Sequence, residues 1–114
     1  MPPARIDYVE LPSAMAHELT RAFYAKAFGW TFSDYGPAYS ATTNGTTDIG
    51  LQGDPSDALS APLPVVRVDD LDAALDSVTK AGGVVARPIF SFPGGRRFHF
   101  RDPHGNELAV MQAD

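Results

Sequence analysis

Two titratable side chains near the end of this 114-residue chain, His99 and Glu107, have the spacing of partners on neighbouring strands. His99 alternates with Phe98 and Phe100, which is the period-2 pattern of a strand with two different faces. If the two phenylalanines pack in the core, the imidazole and the carboxylate both point from the opposite face. A histidine and a carboxylate placed in this way can pair with each other, contact a ligand or transfer protons.

A tight turn is expected between the two strands, at residues 102–106 (DPHGN). The Asp102 side chain can accept hydrogen bonds from the backbone that follows it, and Gly105 permits a left-handed step. The strand after the turn again has two faces, one with Leu108 and Val110 and the other with Glu107, Ala109 and Met111.

The first half of the chain predicts a strand, a helix and three more strands. The first strand is Arg5–Leu11, and the helix spans about residues 16–28 and ends at Gly29. The apolar stripe of this helix, expected to face the core, consists of Met15, Leu19, Ala22, Phe23 and Ala27. The remaining predicted strands are Trp30–Tyr35, Tyr39–Thr43 and Thr46–Gln52, the last two joined by an Asn44-Gly45 hairpin turn.

The second half repeats this order after a polar linker, residues 53–62. Leu63–Val68 is a predicted strand, and Asp69 or Asp70 is expected to cap the helix that follows. The stripe of that helix is formed by Leu71, Ala74, Leu75 and Val78, and Gly82-Gly83 ends it. Val84–Phe90 is the next strand, in which Pro88 predicts an edge position or a bulge, and the hairpin described above completes the half.

Strand-helix-strand-strand-strand therefore occurs twice, over roughly 50 residues each time. The predicted fold class is α+β: a single domain, 1–114, made of two tandem βαβββ modules at about 5–52 and 63–112. One module alone would leave one face of its sheet uncovered. The two modules are therefore expected to pair into one eight-stranded, cup-shaped sheet with both helices outside.

Several short motifs resemble one known family. They are the D-P-x-G-N turn between an aromatic strand and the closing strand, Asp-Leu-x-Ala-Ala at the second helix, Phe23-Tyr24 with Phe28-Gly29-Trp30, and Gly82-Gly83 before a strand. Together they resemble the vicinal oxygen chelate superfamily of glyoxalases, bleomycin-resistance proteins and extradiol dioxygenases. The resemblance covers nearly the whole chain and implies the same fold.

Metal-using members of that superfamily bind a divalent ion inside the cup through His, Gln or Glu from the first and last strands of each module. Matching the first-strand pattern H-V-E-L-P to Tyr8–Pro12 puts Tyr8 at a ligand position. The other three positions fall on Gly50, Leu63 and Ala109, whose side chains have no donor atom. The resemblance therefore implies that this chain lacks the inherited metal site, and no cofactor is expected.

Six residues are expected to face the cup by strand parity and to form a ligand-binding site: Tyr8, Glu10, Arg67, His99, Glu107 and Met111. Glu10 and Arg67 occupy matching places in the two modules, so they form either a salt bridge or a polar clamp for ligand. A shifted metal set of His99, Glu107 and Glu10 is the alternative. His17 and His104 are expected to be solvated.

Composition excludes several classes of partner. The formal net charge of −5 argues against nucleic acid, which binds basic surfaces. No apolar run is long enough to span a membrane, and the first residues do not resemble a secretory signal. The chain has no cysteine, so it has no disulfide framework and no thiolate nucleophile. A cytoplasmic location is therefore expected.

The leading hypothesis is a glyoxalase/bleomycin-resistance-like protein without metal that binds a small apolar or aromatic molecule. An enzyme of the same superfamily, a lyase, isomerase or dioxygenase, is the alternative; it would use the shifted metal or metal-free acid/base groups, and no catalytic residue is assigned. A structural dimer without ligand is the third. A homodimer is expected because apolar residues lie on strands predicted at sheet edges, namely Trp30, Phe32, Pro88, Ile89 and Phe90.

Overall fold

The computed structural model describes residues 4–43 and 46–114. Its elements are β1 Arg5–Pro12, α1 His17–Phe28, β2 Phe32–Asp34, β3 Tyr39–Thr42, β4 Asp48–Gln52, β5 Leu63–Arg67, α2 Leu71–Lys80, β6 Val84–Phe92, β7 Gly95–Arg101 and β8 Glu107–Ala113. The order strand-helix-strand-strand-strand thus occurs twice, as predicted. The chain divides into two compact units, a first unit Tyr8–Leu63 and a second unit of Pro64–Asp114 with the start of β1 up to Asp7.

In the first unit the strands follow the order β2-β3-β4-β1. The β1–β4 pair is parallel, with Glu10 opposite Gly50, and the other two pairs are antiparallel. Gly29 ends α1 in the left-handed conformation at φ 71°, which confirms it as the helix stop. The strands around the predicted Asn44-Gly45 turn pair antiparallel, but the turn itself lies outside the described residues.

Helix α1 turns the opposite face to the sheet from the one its sequence predicts. The apolar stripe is exposed, at 76% for Leu19 and 60% for Phe23. The polar face lies against the sheet because His17 bonds to Ser40 on β3 and Arg21 donates to Asp34 on β2. The prediction that the stripe faces the core is therefore wrong.

In the second unit the strands follow the order β5-β8-β7-β6. The Asp70 side chain caps α2 by accepting a hydrogen bond from the Ala73 N–H at 3.0 Å. The stripe of α2 packs as predicted on a core centred on Leu71, Phe98 and Val110. Phe98 is completely buried, so the aromatic face of β7 lies under α2.

The last strand in this order, β6, carries Pro88. Its pairing with β7 shifts register on both sides of Arg87. The prediction of an edge position or a bulge at Pro88 is confirmed on both counts.

The turn between β7 and β8 is organised by Asp102. Its Oδ1 accepts the backbone N–H groups of His104, Gly105 and Asn106 at 2.9, 3.0 and 3.0 Å. Gly105 takes φ 100°, the left-handed step that the sequence requires there. Over residues 4–43 and 46–114, neither helix has the length and apolar character that crossing a bilayer needs.

Candidate functional site

His99 and Glu107 pair on the face of the second unit that is turned away from α2. The His99 Nδ1 lies 2.9 Å from Glu107 Oε2, and Arg101 donates to the other carboxylate oxygen at 3.3 Å. His99 neighbours Ala109 across the β7–β8 ladder, whereas Phe98 pairs with Val110 and faces the helix. The parity predicted from the alternating sequence is thus the parity in the structure.

The other ring nitrogen of His99, Nε2, is buried and has no hydrogen-bond partner among the described residues. Burial lowers the pKa of His99 below its ordinary value of 6.5, and the charges of Arg97 and Arg87 lower it further, against the opposing hydrogen bond with Glu107. The neutral ring donates through Nδ1 to the carboxylate, so Nε2 carries a lone pair. A buried acceptor of this kind accepts a hydrogen bond or takes a proton.

Positive charge and an aromatic ring surround the imidazole. Phe90 lies 5.8 Å from the His99 ring, and the guanidinium of Arg87 lies over Phe90 at 3.7 Å. Arg97 approaches the same ring at 5.2 Å. These groups supply a flat apolar surface and two cations on the face that carries the buried acceptor.

Arg67 and Met111 belong to the same face of the second unit. They are direct partners in the β5–β8 ladder, and Met111 pairs with Arg97 on its other side. Arg67 forms an ion pair with Asp7 at 3.5 Å. The predicted site residues Arg67, His99, Glu107 and Met111 are therefore brought to one sheet face.

The other two predicted site residues, Tyr8 and Glu10, join a polar cluster in the first unit. The hydroxyl groups of Tyr8 and Tyr39 are 2.5 Å apart, and Tyr39 donates to Glu10 Oε2 at 3.0 Å. Burial and then the charge of Glu10 raise the pKa of Tyr39 far above its ordinary value, so the Tyr39 phenol keeps its proton. Because Tyr39 gives that proton to Glu10, its oxygen accepts the proton of Tyr8. Tyr39 completes this cluster although it is not among the six residues predicted to form the site.

Gly50 explains why two phenols fit beside Glu10. A Cβ at position 50 would overlap both tyrosine hydroxyl groups. Position 50 is one of the places where the family resemblance implies a metal ligand, and here the tyrosine oxygens occupy the space that a ligand side chain would need. The other two inherited positions are equally unsuited, since Leu63 is 1% exposed and Ala109 0% and neither has a donor atom.

The shifted metal set is not supported by the geometry. Both carboxylate oxygens of Glu107 are already bonded, one to His99 and one to Arg101. Within the described parts of the chain, no three His, Asp or Glu side chains converge as a metal site requires. The residues present therefore do not fit the divalent ion that the fold family uses.

A second polar network, absent from the sequence predictions, holds α1 on the first unit. His17 Nδ1 lies 2.7 Å from Ser13 Oγ, and Nε2 lies 3.1 Å from Ser40 Oγ, which donates to Asp34 at 2.6 Å. The Ser40 hydrogen bond and then the Arg21 guanidinium lower the pKa of Asp34. The expectation that His17 is merely solvated is wrong, because its ring bridges two buried serines. His104 lies on the exposed turn, as expected.

Comparisons with known proteins agree on the family. The model of the Glyoxalase/Bleomycin resistance protein/Dioxygenase superfamily matches residues 5–110. A curated protein of Mycobacterium tuberculosis and of Mycobacterium bovis, named "Putative glyoxylase CFP32", is 33% identical over 105 residues, 82% of this chain and 40% of the relative. The chain thus spans about two fifths of the length of these curated relatives.

Solved structures share the fold. A methylmalonyl-CoA epimerase from Mycobacterium tuberculosis superposes with TM-score 0.76 at 15% identity, over 96% of this chain and 87% of that one. A Mn(II)-bound glyoxalase from Novosphingobium aromaticivorans gives TM-score 0.70 at 21% identity, over 96% of this chain and 40% of that one. The predicted fold class is confirmed. The chain has the duplicated βαβββ order, the closing DPxGN hairpin and a match to the family model over residues 5–110. It therefore belongs to the Glyoxalase/Bleomycin resistance protein/Dioxygenase superfamily.

Proposed function

We propose that this chain is a metal-free binding domain for a small organic acid with an aromatic or apolar body. The observation that carries the proposal is the buried His99 ring, held by Glu107 through Nδ1 while Nε2 lacks a partner among the described residues. Burying an acceptor without a hydrogen bond costs free energy, and a ligand O–H or N–H would remove that cost.

The side chains around His99 indicate which other groups the ligand carries. Arg87 and Arg97 lie beside the imidazole, and Arg67 lies on the same sheet face on the other side of Met111, in a chain whose formal net charge is −5. Guanidinium groups bind carboxylates through paired hydrogen bonds. Phe90 offers a ring face, and Met111 adds an adaptable apolar contact. A planar hydroxy acid satisfies all of these groups together.

Calorimetric titration with three probes tests this proposal. 4-Hydroxybenzoate has the ring, the carboxylate and the hydroxyl group; benzoate lacks the hydroxyl and phenol lacks the carboxylate. We expect 4-hydroxybenzoate to bind most tightly. His99→Phe keeps a ring but removes Nε2. It should weaken the binding of 4-hydroxybenzoate by roughly 1–3 kcal/mol and leave the affinity for benzoate unchanged.

Two controls accompany the titration. His104→Ala removes a histidine on an exposed turn and should leave all three affinities unchanged. Glu107→Ala frees the His99 ring and should weaken 4-hydroxybenzoate binding. The proposal fails if none of the probes binds wild type at millimolar concentration, or if His99→Phe leaves the preference for the hydroxyl group intact.

One observation favours a second candidate, a metal-free enzyme of the same superfamily. A neutral imidazole oriented by a carboxylate is the arrangement of a general base, and Nε2 of His99 is the free end of such a pair. Methylmalonyl-CoA has an acidic C–H next to its carbonyl groups and is a suitable probe. Incorporation of deuterium from D₂O in the presence of EDTA, lost in His99→Phe, would favour the enzyme over the binding protein.

A further inference from the structure

The polar network at the start of α1 has a fixed direction of proton donation. Ser40 donates its single hydroxyl proton to Asp34 Oδ1 at 2.6 Å, so its oxygen can only accept from the imidazole. His17 Nε2, 3.1 Å away, therefore carries the proton of the neutral ring. Nδ1 then has a lone pair, and Ser13 Oγ donates to it at 2.7 Å. A serine hydroxyl group that donates to an imidazole lone pair is the arrangement of an activated nucleophile.

The ring of His17 is held in this orientation from two sides. Ser40, which binds Nε2, is 1% exposed. A Cβ at Gly53 would lie 2.7 Å from His17 Nδ1, so the glycine leaves the room that the ring occupies. The pKa of Asp34 is lowered chiefly by its hydrogen bond with Ser40, so the carboxylate stays ionised and stabilises the imidazolium that forms when the ring takes a proton. Ser40 and Asp34 are thus positioning residues for His17.

Ser13 is also part of the wall of a cleft of about 490 Å³, which lies within the first unit. The cleft is lined by residues 12–16, Thr20, Pro55 and residues 58–60. Seven of these ten residues are apolar and, in this described part of the chain, none is charged. Ser13 is 5% exposed, so its side chain is largely shielded from bulk water. The lining therefore favours a small uncharged acyl group over an ionic ligand.

The first turn of α1 supplies hydrogen-bond donors at the same cleft. Ala16 is the N-cap residue of the helix and lines the cleft. Its side chain has no oxygen to accept the N–H groups that follow it. Those N–H groups form the positive end of the helix dipole. Negative charge that develops on the carbonyl oxygen of a bound ester is stabilised at such a position.

We propose that Ser13 and His17 form an acyl-transfer site that hydrolyses esters of small uncharged acyl groups. Ser13 Oγ bonds to the acyl carbon and gives its proton to His17 Nδ1. The bond between the acyl carbon and the leaving oxygen then breaks, and that oxygen takes the proton from His17. Water next bonds to the acyl carbon, its proton passes through His17 to Ser13 as the bond from Oγ to carbon breaks, and the carboxylic acid leaves. The site shares no residue with the proposed ligand site at His99, so either can fail without the other.

Phenylmethylsulfonyl fluoride tests Ser13 directly, because an activated serine forms an Oγ–S bond with it and releases fluoride. Trypsin cleaves after Arg5 and Arg21 and gives the peptide 6–21, in which Ser13 is the single serine. We expect fragment-ion mass spectrometry of labelled wild type to place the sulfonyl group on Ser13. A wild type that is not labelled, or is labelled at a different residue, overturns the proposal.

Substitution of the base tests the role of His17. His17→Gln keeps a polar side chain but removes the imidazole, and it should slow the labelling of Ser13 by roughly 100-fold or more. Ser33→Ala and His104→Gln remove an exposed serine and an exposed histidine, and these matched controls should be labelled at the wild-type rate. Circular dichroism checks that each variant is folded. Equal labelling rates in wild type and His17→Gln contradict the role of His17.

Turnover of 4-nitrophenyl butyrate, followed by the release of 4-nitrophenolate, gives an independent readout. Ser13→Ala should abolish the hydrolysis. Asp34→Asn keeps the size of the side chain but removes its charge, and because Asp34 acts through Ser40 on the ring, it should lower kcat several-fold and leave KM unchanged. Wild-type turnover that persists in Ser13→Ala, or an Asp34→Asn variant that raises KM at unchanged kcat, would contradict the assigned roles.

Discussion

Gly50 lies so close to the hydroxyl group of Tyr8 that a Cβ at position 50 would overlap it. The backbone of β4 therefore makes the room in which the Tyr8–Tyr39–Glu10 hydrogen bonds form. The family resemblance also implies a metal ligand at position 50, where this glycine has no donor atom and leaves room for the two phenols.

Gly50→Ala should destabilise the protein by roughly 1–3 kcal/mol, because the added methyl group displaces two partly buried hydroxyl groups. Urea denaturation measures the loss. The penalty should be smaller in a Tyr8→Phe background, where one of the overlapped oxygens is gone. An equal penalty in both backgrounds would show that the overlap with Tyr8 is not its cause.

Stability should fall as the pH drops below about 6.5, and His99 should account for part of that fall. The pKa of His99 is lower in the folded chain than its ordinary 6.5, so the unfolded state binds the proton first. The contribution of His99 to the free energy of unfolding is complete above pH 6.5 and is lost as the pH falls through the pKa of His99 in the folded chain. Urea midpoints between about pH 8 and pH 5 should therefore slope less in His99→Gln than in wild type. Identical slopes would contradict the lowered pKa.

His17→Ala should cost roughly 1–3 kcal/mol of folding free energy, since it leaves the buried hydroxyl groups of Ser13 and Ser40 without the imidazole. His104→Ala is the matched control and should change stability by less than about 0.5 kcal/mol, because His104 is exposed. If the two variants unfold at the same urea concentration, the network does not stabilise α1 on its sheet.

Removing divalent metal should leave the melting temperature unchanged. A bound ion contributes its binding free energy to folding, so EDTA lowers the melting temperature of a metalloprotein. Gly50, Leu63 and Ala109 supply no donor atom at the inherited positions. A drop of several degrees in EDTA, or one equivalent of metal in the purified protein, would contradict the metal-free proposal.

The elements and their order could be read from the sequence because they depend on local patterns. Period-2 alternation identified the strand that carries His99, and Asp102 and Gly105 identified the turn that follows it. Parity then placed His99 and Glu107 on one face, since adjacent strands in a hairpin share their register. The homodimer and the cytoplasmic location remain predictions.

The buried face of helix α1 could not be predicted from the sequence of the helix alone. Its hydrophobic stripe predicted which face would be buried, yet Leu19 and Phe23 are exposed and His17 lies against the sheet. Periodicity identifies an apolar face but not the surface that covers it. Which face of α1 lies against the sheet depended on Ser40 and Asp34. These residues are distant in sequence, and their hydrogen bonds to His17 and Arg21 hold the polar face of the helix on the sheet.

By itself, the sequence determined the duplicated fold, the lack of a donor atom at Gly50, Leu63 and Ala109, and the shared sheet face of His99 and Glu107. Only the tertiary structure decided that Tyr39 joins Tyr8 and Glu10, that Nε2 of His99 is buried without a partner among the described residues, and that α1 exposes its apolar side. The physical reason is the range of the interactions. Alternation and turns are set by neighbours along the chain, whereas desolvation and hydrogen-bond satisfaction depend on which distant strands meet.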